Sequence, residues 1–297
     1  MAEANPSIEP VSGALGAEVR GVDLEHLDDA GFHVVKQALL DNLVIFFPEQ
    51  HLSPDGHRAL GNRFGEIEIH PFIPKLSEDY PEIVVLDGDG AKADVFHTDV
   101  TWSEQPPIAS ILHMVKCPSR GGDTIFTNQY LVYEALSDPL RDLLDGLSAV
   151  HTATVFGHPE IRAEHPAVRV HPETGRRSLY VNRGFTSHFP QLRRSESDAL
   201  LGFLISFSEQ PQFQCRYRWN AGAVGIWDNR CTQHYAVNDY DELRRIERVT
   251  VLGDRPQGAP PRWDAWTPSG MSAANAAELG VIPTDGQRGT DTSPAPQ

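Results

Sequence analysis

Cysteine and long apolar runs are scarce in this sequence. The 297 residues include three cysteines, and none has a Cys-x-x-Cys neighbour, which excludes a zinc knuckle or a thioredoxin motif and favours reduced thiols. No stretch approaches the roughly 20 apolar residues of a membrane span, and the first residues lack the basic and apolar segments of a secretion signal. These absences predict a cytoplasmic protein that does not enter a membrane.

Positive charge is also in short supply. The chain has 41 acidic and 25 basic residues, which gives a formal net charge of −16. Such a surface repels nucleic acids and anionic membranes, so neither is an expected partner. Arginines that the fold gathers in one place would act against this average field, which makes them candidates for binding a small anion.

Short strands outnumber helices in the pattern of apolar residues. More than eight short strands are expected, separated by turns rich in glycine and proline. Helices are expected over residues 28–42, 53–62, 130–147 and 195–209, and Pro139 is expected to interrupt the third of them. The sequence therefore predicts a mainly β fold with flanking helices (α+β), in which N-terminal and inserted helices buttress a jelly-roll core.

One domain accounts for most of the chain. No internal repeat and no linker divides residues 1–256, so these residues are expected to form a single domain. Beyond Arg255, proline, glycine, alanine, threonine and serine dominate, and the apolar periodicity is lost. Residues 257–297 are therefore expected to be a disordered tail or an arm that contacts a neighbouring subunit.

The first chemically informative stretch is Phe96-His97-Thr98-Asp99-Val100-Thr101-Trp102. Its β-branched and aromatic residues predict a strand, on which His97 and Asp99 would project to the same face. An imidazole and a carboxylate side by side are two legs of a metal site. A second histidine would complete the two-histidine, one-carboxylate face that is diagnostic of non-haem Fe(II) oxygenases. Alone, the pair is equally compatible with a surface or core pair, because the chain has 13 histidines.

The second informative stretch is Trp227-Asp228-Asn229-Arg230-Cys231-Thr232-Gln233-His234. A strand is expected to end at residues 228–229, and a turn is expected to present His234, which would supply the missing imidazole. Arg244 and Arg248 follow at an even spacing, so a strand would place them on one face and Arg245 on the other. An arginine-rich strand can simply be a solvated face. In a chain this acidic, however, two arginines beside a metal-binding histidine favour anchors for carboxylate or sulfonate groups.

Taken together, these motifs resemble the taurine dioxygenase family. The resemblance is carried, in order, by His97-x-Asp99, by Gly-Gly-Asp-Thr at 121–124, by Trp-Asp-Asn-Arg-x-x-x-His at 227–234 and by Arg-x-x-x-Arg at 244–248, and it runs over residues 8–256. Members are Fe(II)- and 2-oxoglutarate-dependent oxygenases built on a double-stranded β-helix. The resemblance thus implies that fold, Fe(II) as cofactor, 2-oxoglutarate and O₂ as co-substrates, and a homo-oligomer, either a dimer or a tetramer.

The resemblance also implies roles for individual residues. His97, Asp99 and His234 would bind the iron. Arg244 would pair with the distal carboxylate of 2-oxoglutarate, helped by the hydroxyl of Thr124.

The arginine assignment has an alternative. The spacing from His234 to the arginine pair is one residue shorter here than in the taurine enzyme, so Arg245 competes with Arg244 as the 2-oxoglutarate anchor. Strand parity with Arg248 favours Arg244.

The substrate side of the site follows from the same resemblance. Arg248 and His70 match positions that hold the anionic group of the substrate, and Phe156 and Phe185 match aromatic positions that wall the pocket. The taurine enzyme has an asparagine just upstream of its metal histidine and a tyrosine shortly after its His-Pro. Here those regions read Ala-Asp-Val at 93–95 and Phe-Ile at 72–73, which removes polar contacts for the amine of taurine.

The expected reaction is hydroxylation of a small anionic organic substrate, an alkylsulfonate or a sulfate ester, with release of succinate and CO₂. One alternative is the same chemistry on an aryloxy or other carboxylic acid. Another is a metallohydrolase that uses the same three ligands with a Zn²⁺-bound water, which activity without O₂ or 2-oxoglutarate would indicate. A third is a non-catalytic binding protein on this barrel.

Overall fold

The computed structural model describes residues 6–87 and 93–267. Within these ranges the helices are α1 (Asp29–Asn42), α2 (Pro54–Phe64), α3 (Gln129–Ala135), α4 (Asp138–Leu144) and α5 (Arg194–Ser208). The strands are β1 (Ser7–Pro10), β2 (Ala17–Arg20), β3 (Val44–Phe47), β4 (Val84–Asp87), β5 (Ala109–Lys116), β6 (Thr124–Asn128), β7 (Ser148–Ala153), β8 (His158–Pro166), β9 (Val168–Val170), β10 (Arg177–Leu179), β11 (Thr186–His188), β12 (Gln214–Tyr217), β13 (Val224–Asp228), β14 (Thr232–Ala236) and β15 (Arg245–Val251).

Local sequence signals account for the helix boundaries. The Asp28 side chain accepts a hydrogen bond from the N–H of Gly31 at 2.7 Å, and the Ser53 hydroxyl caps α2 in the same way. The helical stretch predicted over 130–147, with an interruption at Pro139, is two helices, α3 and α4. The chain is extended at Leu136 (ψ 149°), and Pro139 stands in the first turn of α4, where its missing N–H is not needed.

Two sheets pack face to face and enclose the main core. The larger has the strand order β1-β2-β3-β13-β5-β15-β4, and the smaller has the order β12-β6-β14. Phe46 of the larger sheet stacks on Tyr217 at 3.7 Å between ring centres and meets Phe126 edge-on at 5.7 Å. Burying each of these side chains stabilises the fold by about 1.5–3 kcal/mol. This two-sheet core is the predicted jelly roll.

A second apolar core lies beside the barrel. The sheets β11-β7-β8 and β10-β9 pack with α3, α4 and α5, and buried Leu144, Leu179, Phe189 and Leu204 lie between them. This layer carries the short turn at residues 154–156, which brings Phe156 towards the mouth of the barrel.

The strand predicted over residues 96–102 is wrong. His97 forms a single antiparallel bridge with His234, and the chain then turns, with Val100 in the left-handed region at φ 53°. Tertiary hydrogen bonds override the local β preference here. The Thr98 hydroxyl donates to the carbonyl of Thr232 at 2.7 Å, which draws the backbone out of a ladder.

A turn follows the strand that ends at Asp228, as predicted, but His234 does not lie at that turn. His234 lies in the middle of β14, directly opposite Phe126 of β6. The turn falls earlier, at residues 229–231, because the carbonyl of Asp228 accepts from the N–H of Cys231 and from the hydroxyl of Thr232.

The chain stays on the domain beyond residue 256. Gln257 bridges Val170, the Arg262 N–H donates to the carbonyl of Gly146, and the Trp266 N–H donates to the carbonyl of Pro190. The first part of the predicted tail therefore packs on the domain, and residues 268–297 lie outside the described residues. No helix within the described ranges combines the length and apolarity needed to cross a bilayer.

Candidate active site

Two imidazoles and one carboxylate meet at one buried point. The ligand atoms of His97, Asp99 and His234 all lie within 4.8 Å of one another. Asp99 Oδ1 is 3.8 Å from His97 Nε2 and 4.0 Å from His234 Nε2. Reciprocal backbone hydrogen bonds of 2.8 and 3.1 Å between residues 97 and 234 hold the two histidines side by side. The backbone pairing of residues 97 and 234, rather than the alternation of side chains along one strand, brings the three side chains together.

Both imidazoles are prepared to coordinate a cation. Nδ1 of His97 lies 2.8 Å from the carbonyl of Val95, and a carbonyl can only accept, so Nδ1 carries the proton and Nε2 presents its lone pair. Burial lowers the pKa of His97 and, with the neighbouring His97, lowers the pKa of His234 to about 3. Both rings are therefore neutral at neutral pH, as metal binding requires.

The carboxylate of the centre is ionised. Burial would raise the pKa of Asp99, but the charge of the Arg248 guanidinium and the hydrogen bond from Ser110 favour the ionised form, and that pKa lies below its ordinary value. One anionic oxygen and two neutral nitrogens fit a divalent first-row cation such as Fe(II).

A cavity of about 230 Å³ opens beside this centre. Five of the nine predicted site residues line it: Thr124, Phe156, His234, Arg244 and Arg248. His97 and Asp99 adjoin the cavity through His234. His70 and Phe185 adjoin it through the ring of Phe156, at 5.8 and 6.4 Å between ring centres. The fold thus brings all nine predicted residues into one region.

An unpaired cation stands at one end of the cavity. Arg244 is buried, its Nε has no partner, and it forms no ion pair with any described residue. Burial lowers the pKa of Arg244, as expected for a cation kept from water. The Thr124 hydroxyl accepts from Trp219 Nε1 at 2.9 Å, which leaves its own proton for a second acceptor. A buried cation beside a free hydroxyl donor makes a carboxylate site.

Arg245 points away from this cavity. Arg244, Ile246 and Arg248 line it, whereas Arg245 is a third exposed and lies 3.3 Å from Glu247 on the other face. This alternation is the one that strand parity predicts.

A second cation lies against the metal centre. Arg248 Nη1 donates to Asp99 Oδ1 at 2.8 Å, and Arg248 Nε has no partner among the described residues. Nδ1 of His70 accepts from the N–H groups of Phe72 and Ile73, so Nε2 carries the proton of the neutral ring. Burial and then the charge of Arg248 lower the pKa of His70 to about 4, which keeps His70 a neutral donor.

Aromatic side chains close the outer side of the site. Phe72 stacks on Phe156 at 5.2 Å and on His158 at 4.9 Å, and Trp102 lies 5.7 Å from Phe72. Sequence reasoning gave Trp102 no role because the residue fitted a strand pattern. It also missed Trp219, which reaches Thr124 from 95 residues away in the sequence, and Tyr240, whose ring centre lies 5.7 Å from the guanidinium carbon of Arg244.

The jelly roll and its buried centre define a class of protein: an enzyme with a two-histidine, one-carboxylate face for a single metal ion and a cavity for anions beside it. The chain belongs to the family of the taurine catabolism dioxygenase TauD and TfdA, whose family model matches residues 7–250.

Similar proteins agree with this assignment. The chain is 38% identical over 275 residues to an alpha-ketoglutarate-dependent sulfate ester dioxygenase of Pseudomonas putida, covering 84% of this chain and 91% of that protein. It is 35% identical over 276 residues to an alkylsulfatase of Acinetobacter baylyi, covering 85% and 86%. The crystal structure of a taurine dioxygenase from Burkholderia xenovorans superposes with a TM-score of 0.79 at 40% identity, covering 89% and 97%.

The family and its fold confirm the main expectations drawn from the sequence. The protein is a 2-oxoglutarate-dependent dioxygenase on a jelly-roll core, and it uses Fe(II), 2-oxoglutarate and O₂. The metallohydrolase alternative is not favoured.

Proposed function

We propose that this dioxygenase hydroxylates a small organic sulfate ester or alkylsulfonate at the carbon next to the anionic group. His97, Asp99 and His234 hold the Fe(II), which together with 2-oxoglutarate supplies the O₂-dependent oxidation of a C–H bond. For a sulfate ester, the hydroxylated carbon carries two oxygens and collapses to an aldehyde, with release of sulfate. Succinate and CO₂ are the other products.

The position of Arg248 is the observation that carries the proposal. One of its nitrogens lies 2.8 Å from a carboxylate oxygen of the metal centre, and a guanidinium has five N–H donors, so most remain for a ligand. An anionic group bound there holds its neighbouring carbon close to the iron. Charge-assisted bonds from Arg248 together with a neutral donor, His70, suit a monoanion better than a dianion. Sulfate esters and sulfonates are monoanions at every physiological pH.

The rest of the cavity favours an apolar substituent on that substrate. Its lining outside the two anion sites is mostly apolar and includes Phe72, Ile73 and Ala93, with Asp87 and Asn238 as polar members. This supports an alkyl sulfate over taurine itself. The Pseudomonas putida relative, described as a sulfate ester dioxygenase, and the Acinetobacter baylyi alkylsulfatase support the same substrate class.

The second anion site is assigned to 2-oxoglutarate. Arg244 with the Thr124 hydroxyl holds its distal carboxylate, since Arg244 is the buried cation that lacks an acidic partner among the described residues. Arg245 is a third exposed and lies outside the cavity.

A substrate panel tests the headgroup. Linear alkyl sulfates, alkylsulfonates, taurine and phenoxy acids are offered to the Fe(II)-loaded enzyme with 2-oxoglutarate. The expected result is release of sulfate or sulfite in step with succinate, strictly dependent on O₂. A phenoxy acid with a higher kcat/KM than every sulfate and sulfonate would reject the headgroup assignment.

Three arginine variants test the two anion sites. Arg248→Ala is expected to raise KM for the sulfate ester, and Arg244→Ala is expected to raise KM for 2-oxoglutarate, each by about 10-fold or more, because each removes a charge-assisted hydrogen bond. Arg245→Ala is the matched control and is expected to change neither constant by more than about two-fold. An Arg245→Ala effect on 2-oxoglutarate as large as that of Arg244→Ala would overturn the anchor assignment.

A further inference from the structure

A chain of hydrogen bonds lies behind the carboxylate of the metal centre. The Ser110 hydroxyl, on β5, donates to Asp99 Oδ2 at 2.7 Å. Asn229 Nδ2 donates to the same hydroxyl oxygen at 2.9 Å. An amide nitrogen can only donate, so the single proton of Ser110 is committed to Asp99.

The amide of Asn229 is itself fixed in orientation. Its Oδ1 accepts from Trp227 Nε1 at 3.0 Å and from the backbone N–H of Asp99 at 3.4 Å. Because both of these groups are donors, the oxygen must face them and the nitrogen must face Ser110. Ser110, Asn229, Trp227 and Asp99 are all buried, so bulk water does not compete for these bonds.

This relay, the chain of hydrogen bonds from Asn229 through Ser110 to Asp99, gives the two oxygens of Asp99 different surroundings. Oδ2 accepts a hydrogen bond from Ser110. Oδ1 accepts one from Arg248 Nη1 at 2.8 Å and is the oxygen that lies within 4.0 Å of both imidazole Nε2 atoms. A carboxylate that coordinates through one oxygen leaves three positions of an octahedral ion free. Two of these serve 2-oxoglutarate and one serves O₂. Coordination through both oxygens would remove one of the three.

We propose that Ser110, oriented by Asn229, is a positioning residue that keeps Asp99 a one-oxygen ligand. The inference rests on the iron site proposed above and deepens it. The sequence motif that contains Asn229 gave that residue no role, and Ser110 lies in no motif.

The test uses Ser110→Ala and the matched control Ser178→Ala. Both serines are fully buried in strands, but the Ser178 hydroxyl bonds to backbone carbonyls away from the centre. The Fe(II) dissociation constant and the anaerobic Fe(II)–2-oxoglutarate charge-transfer absorption are measured for each. Ser110→Ala is expected to weaken Fe(II) binding by about 10-fold and to diminish the absorption, as loss of outer-shell partners does. Ser178→Ala is expected to match the wild type, and Ser110→Thr, which restores the hydroxyl, is expected to recover most of the loss.

A second variant examines the relay itself. Because Asn229 acts through Ser110, adding Asn229→Ala to Ser110→Ala is expected to weaken Fe(II) binding further by less than Asn229→Ala does alone. Circular dichroism confirms folding of each variant, and Ser110→Cys, which keeps the size but donates weakly, replaces any Ser110→Ala protein that does not fold.

The outcomes separate this inference from the proposed function. Wild-type protein without the charge-transfer absorption would reject the iron site. Wild-type protein with the absorption and a Ser110→Ala variant indistinguishable from it would overturn the positioning role alone. Equal losses in Ser110→Ala and Ser178→Ala would also overturn it, because they would indicate general packing.

Discussion

Two buried clusters in this protein combine histidine with aspartate. One is the active-site group of His97, Asp99 and His234, and the other is the group of His171, Asp228 and Cys231; in each, the potential ligand atoms lie within 4.8 Å of one another. In the second cluster, Nδ1 of His171 accepts from two backbone N–H groups, so Nε2 carries the proton and donates to Asp228 at 3.0 Å. No lone pair of that ring is left for a metal.

The acidic member of the second cluster is likewise committed. Arg230 donates to both carboxylate oxygens of Asp228, at 2.9 and 2.6 Å, and burial raises the pKa of the Cys231 thiol well above its ordinary value. In the active site, by contrast, His97 gives its Nδ1 proton to a carbonyl and keeps Nε2 free. Similar residue types thus form a candidate metal centre in one place and an ion-pair network in the other. The backbone partners of Nδ1 in His97 and in His171 account for the difference between these two rings.

The largest effect that separates the two clusters is expected on turnover. Asp99→Ala removes the anionic ligand, and turnover should fall by more than about 100-fold, since even loss of outer-shell partners costs about 10–100-fold. Succinate formation measures this, and circular dichroism checks that the protein remains folded. Asp228→Asn, measured beside it, should retain the turnover of its folded fraction. An Asp99→Ala enzyme with a tenth or more of wild-type turnover would contradict the assignment of the ligand.

Changes in the second cluster are expected to lower the stability of the fold rather than turnover. Asp228→Asn leaves the buried Arg230 with Glu173 as its remaining acidic partner at 2.9 Å, and it should lower the free energy of unfolding by about 3–5 kcal/mol. Urea unfolding measures this. Glu173→Gln, at the partly exposed rim, is the control and should cost about 1 kcal/mol or less. If folded Asp228→Asn lost the Fe(II)–2-oxoglutarate absorption while its stability was unchanged, the second cluster would be the metal site and the prediction would be wrong.

Local patterns predicted the scaffold better than the site. Helices α1 and α2 follow from capping residues and apolar periodicity, which act within a few residues. The placement of Arg244 and Arg248 on one face and of Arg245 on the other was predicted in the same way, because side chains alternate between the two faces of a strand. Residues 96–102 defeated the local signal, because a bond from Thr98 across 134 residues turns the chain there.

The metal ligands needed more than a local pattern. The pairing of His97 with His234 was expected only from the order of motifs, since the backbone bridge between them joins distant segments. The relay from Asn229 to Ser110 spans 119 residues, and the bond from Trp219 to Thr124 spans 95. Side-chain contacts at such separations leave no periodic trace in one sequence, so the residues that orient the site were missed, whereas the three proposed ligands were named from their motifs.

His57, a buried imidazole outside both clusters, gives a smaller effect that depends on pH. His57 Nε2 lies 2.9 Å from the carbonyl of Ile111, and burial lowers the pKa of His57 from 6.5 to about 4. The unfolded chain therefore binds a proton that the folded chain does not. The contribution of the neutral His57 ring to the free energy of unfolding is therefore complete above pH 6.5. It is lost as the pH falls towards 4, by about 2 kcal/mol at pH 5. Urea unfolding of His57→Gln should show a pH slope flatter by that amount. The exposed His33→Gln should keep the wild-type slope, and an unchanged slope in His57→Gln would contradict the neutral buried ring.

The smallest effect is expected at the thiol of the second cluster, and it tests the comparison most directly. If His171 and Asp228 are committed as their hydrogen bonds indicate, Cys231 is a packed thiol rather than a ligand, and Cys231→Ala should cost only about 1 kcal/mol of stability. Co(II) added without O₂ should then saturate at one ion per chain, without thiolate absorption, in both wild type and variant. Cys215→Ala, at a buried thiol whose pKa burial raises to about 12, is the matched control and should behave alike. The contrary result would be a second bound Co(II) that is lost in Cys231→Ala but kept in Cys215→Ala. It would mean that the ring of His171 can change its tautomer, so that the backbone partner of Nδ1 does not decide which cluster binds metal.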